Sequence, residues 1–405
     1  MSRRRVDPQP TQGNIANSGR RSNRTNRRAP VATITVEKAH GLAVLSHSDR
    51  RLLSLVLGVC AAAGILNNAQ GNPVVSFFIS AIALGAIARL LVRSVEAVSN
   101  RIGRGMNGLL QSILGNLPEI FVILFALNAG LYGIVKATIV GSIIANILLV
   151  MGIAFFVGGR KFGRQTFNEG AARQLSMLLA LSVFVLSIPT LTASFNTPAV
   201  DFAHELTFII SLLLIVLFLV SLPETIRNAN HESPVSGTNE ALAAAREAEQ
   251  HGQWPIQIAV LMFLIAIAGS VFVSKWFVDQ LPTAMATLGI SEAFAGLIIV
   301  ALASNAVESF AGIQLASRDQ QSYALQIILQ SPVQIAMIVT PVIALAAPFV
   351  GATAFTLVLS PILLAVLFMA VFIAIVVVFD GSSTWFEGAA LITLYLGIAA
   401  AFWWG

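Results

Sequence analysis

The sequence predicts an all-α integral membrane protein of about eleven transmembrane helices, built as one extra helix followed by two inverted five-helix repeats. Three observations carry this expectation: a composition too apolar for a soluble surface, a series of spanning-length apolar stretches joined by loops of alternating charge, and a polar motif that occurs twice. Of 405 residues, 56% are apolar and only 11% charged, with a mean hydropathy of +0.82. A chain of this size cannot coat a water-facing surface with so few charges. Cys60 is the single cysteine, which excludes an intramolecular disulfide.

Residues 1–48 are rich in Arg, Asn, Ser, Gln and Pro. They lack the apolar surface to offset their ordering entropy, so a disordered cytoplasmic tail is expected. Its arginines have no aromatic residues interleaved, which argues against nucleic-acid binding and for a topology signal. Apolar stretches of spanning length then run over 52–67, 73–98, 106–128, 134–157, 172–191 and 202–222, and after a break over 255–278, 292–316, 322–347, 353–379 and 387–404. With the Arg tail in the cytoplasm, Arg101, Arg104, Arg160, Lys161, Arg164, Arg227, Arg246 and Arg318 all fall inside, and the intervening connections contain no Lys or Arg. The polar stretch 223–254 reads as a cytoplasmic linker. It divides the chain into residues 49–222, the extra helix and first repeat, and residues 255–405, the second repeat.

Within the third apolar stretch stands Gly115-Asn116-Leu117-Pro118-Glu119, and within the eighth Ser304-Asn305-Ala306-Val307-Glu308. Asn and Glu three residues apart share a helix face, and an acid at that depth costs several kcal/mol unless it is compensated, which marks a functional site. Asn305, Glu308 and Ser331 each lie 189 residues after Asn116, Glu119 and Ser142. One constant offset over consecutive spans of opposite direction is the signature of inverted repeats, which in secondary transporters place the site at the repeat interface. Ser142 with Asn146, and Ser331 with Gln334, add oxygens on the next span of each half. Gly115, Pro118 and Pro332 are expected at helix breaks that free backbone carbonyls. Two carboxylates with amides, hydroxyls and carbonyls, and no His or Cys, form a hard-oxygen set suited to Ca2+. In the empty site two adjacent carboxylates cannot both stay ionised, so protons and cation compete. There is no His cluster, phosphate-binding loop or Ser/His/Asp constellation to support enzyme chemistry, and no cofactor is expected beyond the transported ions.

These motifs resemble the calcium/cation antiporter superfamily, and most closely its Ca2+/H+ exchanger branch. Gly115-Asn116-x-x-Glu119, the Gly141-Ser142-x-x-x-Asn146 helix, Asn305-x-x-Glu308 and Ser331-x-x-Gln334 carry the resemblance, which runs from about Ser94 to the C-terminus. It implies that Glu119 and Glu308 coordinate the cation and cycle protons. Glu96 and Glu292 match positions that the resemblance places on a proton route; the residues alone read equally as helix-end acids. Ser304, Ser309, Gln330 and Lys275 depart from the usual pattern, and Lys275 is expected to reach the interface and pair with Asp279. The expected function is Ca2+/H+ antiport at a bacterial plasma membrane, with the N-terminus cytoplasmic. The alternatives are a Na+-coupled or monovalent cation exchanger of the same superfamily and a transport-inactive sensor or scaffold. The sequence leaves the oligomeric state open.

Overall fold

The computed structural model describes residues 46–69, 71–99, 114–231 and 254–404. The Arg-rich tail, the start of the third expected span and most of the linker lie outside the described residues. Twelve helices follow one another: α1 (His47–Asn68), α2 (Pro73–Ser99), α3 (Leu117–Asn128), α4 (Tyr132–Phe162), α5 (Glu169–Ser194), α6 (Ala203–His231), α7 (Ile256–Leu288), α8 (Glu292–Ser304), α9 (Ala306–Ala316), α10 (Gln321–Val350), α11 (Pro361–Val378) and α12 (Trp385–Trp403). Among the described residues nine are long and apolar enough to cross a membrane, and the bent pair α8–α9 makes a tenth span. A two-stranded antiparallel ladder pairs β1 (Gln165–Thr166) with β2 (Ser382–Ser383).

Local chemistry sets the helix ends. Ser46 and Asp49 form a capping box at the start of α1, and Thr384 and Glu387 form one at the start of α12. The tail therefore ends two residues earlier than expected, because Ser46 already satisfies first-turn N–H groups. The linker is also shorter than 223–254: α6 runs to His231, and Trp254 is buried at 2% exposure rather than solvated. Its indole N–H donates to Asp49 at 2.9 Å, while Arg93 stands 3.5 Å from the same carboxylate. α7 extends ten residues past its expected end and stops at Gly289, whose φ of 64° suits a left-handed cap.

The tenth expected span begins at Pro361 instead of Thr353, since Ser360 caps it and Pro361 takes the first helical position. The preceding segment is irregular, with Ala352, Phe355, Leu357 and Leu359 buried. Thr207 Oγ1 accepts from Leu357 N at 3.1 Å and Thr190 Oγ1 from Leu359 N at 2.9 Å, which supplies partners that lipid cannot.

The two halves repeat each other in backbone detail at the 189-residue offset. Asn116 (φ −87°, ψ 5°) and Asn305 (φ −102°, ψ 16°) leave helical geometry in the same way. Gly130 and Asp319 both have positive φ, 76° and 62°, and Leu131 and Gln320 both have ψ 52° just before α4 and α10. The contacts between halves exchange under the same offset: Lys161 Nζ donates to Ser317 O at 2.9 Å and Asn128 Nδ2 to Val350 O at 3.0 Å. Contacts that swap partners when the halves swap are those of a pseudo-two-fold axis, and the four spans between α3 and α9 make the two break-bearing helices antiparallel.

Small residues set the closest approaches. Phe77 stacks on Phe277 with centroids 4.8 Å apart where α2 packs on α7. α4 and α12 meet at Gly152, Gly159 and Gly388, and a methyl on Gly388 would overlap the Phe156 backbone nitrogen and the Gly152 carbonyl. Gly388→Ala is expected to cost about 1–3 kcal/mol by forcing these backbones apart. Gly397→Ala on the same helix, with nothing within 4 Å, should be neutral or slightly stabilising. Thermal unfolding in detergent measures both.

Candidate functional site

α3 begins where the chain turns at Asn116. Pro118 carries no N–H, so the Leu114 carbonyl one turn earlier has no helical donor, and Gly115 precedes the turn. Glu119 sits in the first turn of α3, 2% exposed. Its Oε1 accepts from Ser142 Oγ at 2.5 Å and from Asn305 Nδ2 at 3.2 Å, and Ser304 Oγ lies 3.5 Å away. Its Oε2 is buried with no partner. Donors on one carboxylate oxygen therefore hold the side chain while the other is presented unpaired.

α4 brings Ser142 to this point because Gly141 lets its backbone touch that of Leu297 on α8; a methyl there would overlap the Leu297 carbonyl. Asn305 Nδ2 bridges to Ser142 Oγ at 3.0 Å. One turn on, Asn146 Nδ2 donates to Ser142 O at 2.9 Å and to Ser331 Oγ at 3.3 Å, leaving its Oδ1 buried and unpartnered. Ser331 Oγ in turn lies 3.5 Å from Asn305 Oδ1, and Asn116 Nδ2 donates to Gln334 Oε1 at 3.0 Å. Wide π-helical turns follow in both helices, over Ala145–Val150 and Ile335–Val339, a distortion frequent at functional sites.

Glu308 occupies the first turn of α9, beyond the 65° bend at Asn305. It is partly exposed, and among the described residues no side chain is hydrogen-bonded to it. The site is thus lopsided: Glu119 is held by side-chain donors and Glu308, among the described residues, by none. Among the described residues no three His, Cys, Asp or Glu side chains cluster. The available ligands are two carboxylates, the amides of Asn116, Asn146, Asn305 and Gln334, the hydroxyls of Ser142, Ser304 and Ser331, and freed carbonyls. Unpaired Glu119 Oε2 and Asn146 Oδ1 are acceptors that a hard cation can satisfy.

Other expected residues lie elsewhere. Glu96 is at the far end of α2, 3.9 Å from Arg93. Glu292 is exposed beside Gly133 on the first turn of α8, thirteen residues or about 20 Å from Asn305 along the helix, and Ser291 rather than Glu292 caps that helix. Pro332, expected at a break, stays inside the continuous helix α10; the second half breaks at Asn305 instead. Lys275 pairs with Asp279 at 2.8 Å on an exposed face, away from the site. Ser304 was visible in the sequence only as a departure from glycine, and its contact with Glu119 depends on the bend. The lopsidedness predicts that a water-soluble carbodiimide modifies Glu308 in cation-free protein while sparing Glu119. Peptide mass spectrometry reads this directly, and equal modification would refute it.

The sodium/calcium exchanger protein family profile matches residues 72–223 and 258–404. The Ca2+/H+ antiporter ChaA of Bacillus subtilis (strain 168) is 32% identical over 355 residues, spanning 86% of this chain and 99% of that protein. The Ca2+/H+ antiporter of Aphanothece halophytica is 29% identical, spanning 81% and 90%. The solved structure of native YfkE matches at 30% sequence identity and a TM-score of 0.72, over 87% of this chain and 99% of that one. The H+/Ca2+ exchanger CAX, at 17% identity and a TM-score of 0.67, shares the fold. With both repeats matched and the breaks at equivalent positions, this chain belongs to the sodium/calcium exchanger protein family.

Proposed function

We propose that this protein is a secondary active antiporter that exchanges Ca2+ for protons at a site formed by Glu119 and Glu308. The observation that carries the reading is the pair of glutamates on repeat-related helix breaks, one presenting an unpaired buried oxygen among amide and hydroxyl ligands. Two relatives of about 30% identity bear the name Ca2+/H+ antiporter, which supports the same assignment. Asn116, Asn305, Ser142, Asn146, Ser331 and Gln334 supply neutral oxygens and orient the carboxylates. Two negative charges match one divalent cation, and in its absence at least one carboxyl carries a proton. Binding of Ca2+ expels that proton, and reprotonation expels Ca2+. The pseudo-two-fold arrangement lets the site open alternately to either side. Export from the cytoplasm, driven by proton entry, follows from a bacterial plasma-membrane setting with the N-terminus inside.

The test is cation-induced proton release in proteoliposomes under an imposed pH gradient. Ca2+ is expected to dissipate the gradient, and Glu119→Gln or Glu308→Gln to remove the response. For Glu119, loss of the buried charged ligand costs about 3 kcal/mol or more, at least about a hundredfold in affinity. A response confined to Na+ or K+ would assign a monovalent exchanger, and no response to any cation would leave the scaffold reading.

A further inference from the structure

One face of α10 departs from its counterpart on α4. At the 189-residue offset, Ile134, Ala137, Gly141 and Ala145 become Tyr323, Gln326, Gln330 and Gln334. The spacing i, i+3, i+7, i+11 keeps each set on one helix face. On α4 the four residues are buried and the face is sealed by α8: a methyl on Gly141 would overlap the Leu297 carbonyl, and one on Gly296 the Ile134 carbonyl. On α10, Tyr323 is 39% exposed, and Gln326, Gln330 and Gln334 are partly exposed. Residues 103–113, the equivalents of 292–302 on α8, lie outside the described residues. The side chains of α10 themselves rule out the same seal, because a backbone as close to Gln330 as Leu297 is to Gly141 would overlap the glutamine. Among the described residues the Gln326 and Gln330 amides have no hydrogen-bond partner. Amides turned to hydrocarbon without partners are costly, so this face of α10 meets water.

We propose that Gln326 and Gln330 line a cation path along α10 from the α9–α10 turn to Gln334, their amide oxygens acting as successive ligands for Ca2+ on its way to the glutamates. The path ends in the site already described, where Gln334 Oε1 accepts from Asn116 at 3.0 Å. At 1.5 Å per residue, Gln330 and Gln326 stand about 6 and 12 Å before it along the helix. Glu308 lies at the same depth. On α9, Asn305 Oδ1 is 3.5 Å from Ser331 Oγ and Gly312 packs against Ile328, and Glu308 falls between these contacts. Neutral amides suit a path, since their oxygens replace water around a hard cation yet hold it weakly enough to pass it on. The α4 face has no amide at any of the equivalent positions and is closed by backbone contact. Entry is therefore one-sided here, from the end that the proposed orientation makes cytoplasmic.

The inference rests on the antiport reading, and one experiment separates the two. Release of bound Ca2+ into a fluorescent chelator is followed by stopped flow, and the equilibrium Kd is titrated, for the wild type, Gln326→Leu, Gln330→Leu, Gln330→Asn and Thr138→Val. Losing one amide from the path should slow release about threefold to tenfold in each leucine variant. Kd should keep its wild-type value, because a path ligand changes entry and exit by the same factor. Asparagine, which retains the amide, should restore most of the rate, and Thr138→Val, beside the sealed α4 contact, should change neither quantity. Wild-type release rates in the leucine variants, a Kd raised by them, an asparagine variant as slow as leucine, or equal slowing in Thr138→Val would overturn the path. A wild type that binds no Ca2+ would instead overturn the antiport reading itself.

Discussion

A carboxylate inside a bilayer-spanning bundle must be met by donors, and the lipid has none. Glu119 meets this requirement through Ser142 from the adjacent helix and Asn305 from the opposite half, 186 residues away. The nearby fold follows from those contacts. The helix breaks at Asn116 and Asn305 turn side chains and carbonyls toward the centre, and Gly141 lets two backbones touch so that Ser142 reaches the carboxylate. The proposed site leaves a need unmet, seen in the unpaired oxygens of Glu119 and Asn146. In a core built only for stability, such atoms would be expensive errors.

The two halves share a backbone scaffold but not the same side chains. Backbone angles at the breaks and at the turns before α4 and α10 agree closely between halves, so the scaffold is symmetric where the chain bends. Side chains are not: Gly115 in the first half is replaced by Ser304 in the second, and Glu119 is enclosed while Glu308 is partly exposed. A perfectly symmetric site would give its two carboxylates the same chemistry. The hydrogen-bond partners of Glu119, Ser142 and Asn305, have no counterpart for Glu308 among the described residues.

Around this centre the remaining structure solves the problem of unsatisfied backbone and charge. The irregular run before α11 borrows hydroxyls from α5 and α6, and the ends of the bundle are tied by capping boxes and the β1–β2 ladder. Asp49 links α1, which stands outside the repeats, to Arg93 of α2 and to Trp254 at the entry of α7. The first helix is thereby attached to one helix of each half.

The membrane class, nearly all the spans, the constant offset between the halves and the paired asparagines and glutamates were legible in the sequence. Hydropathy, loop charge and a constant residue offset are properties of the chain itself. Tertiary structure decided what depends on partners distant in sequence. Trp254 lies in a polar stretch by composition, yet it is buried because Asp49 and Arg93 await it. The residues before Pro361 are apolar enough for a helix, yet they are irregular, and hydroxyls from two other helices meet the Leu357 and Leu359 amides. Pro332 stays within a helix while Asn305, with no proline beside it, marks the bend. That Glu119 is the glutamate held by side-chain donors was likewise beyond the sequence, because both glutamates occupy the same motif and only the packing of Ser142, Ser304 and Asn305 around Glu119 distinguishes them.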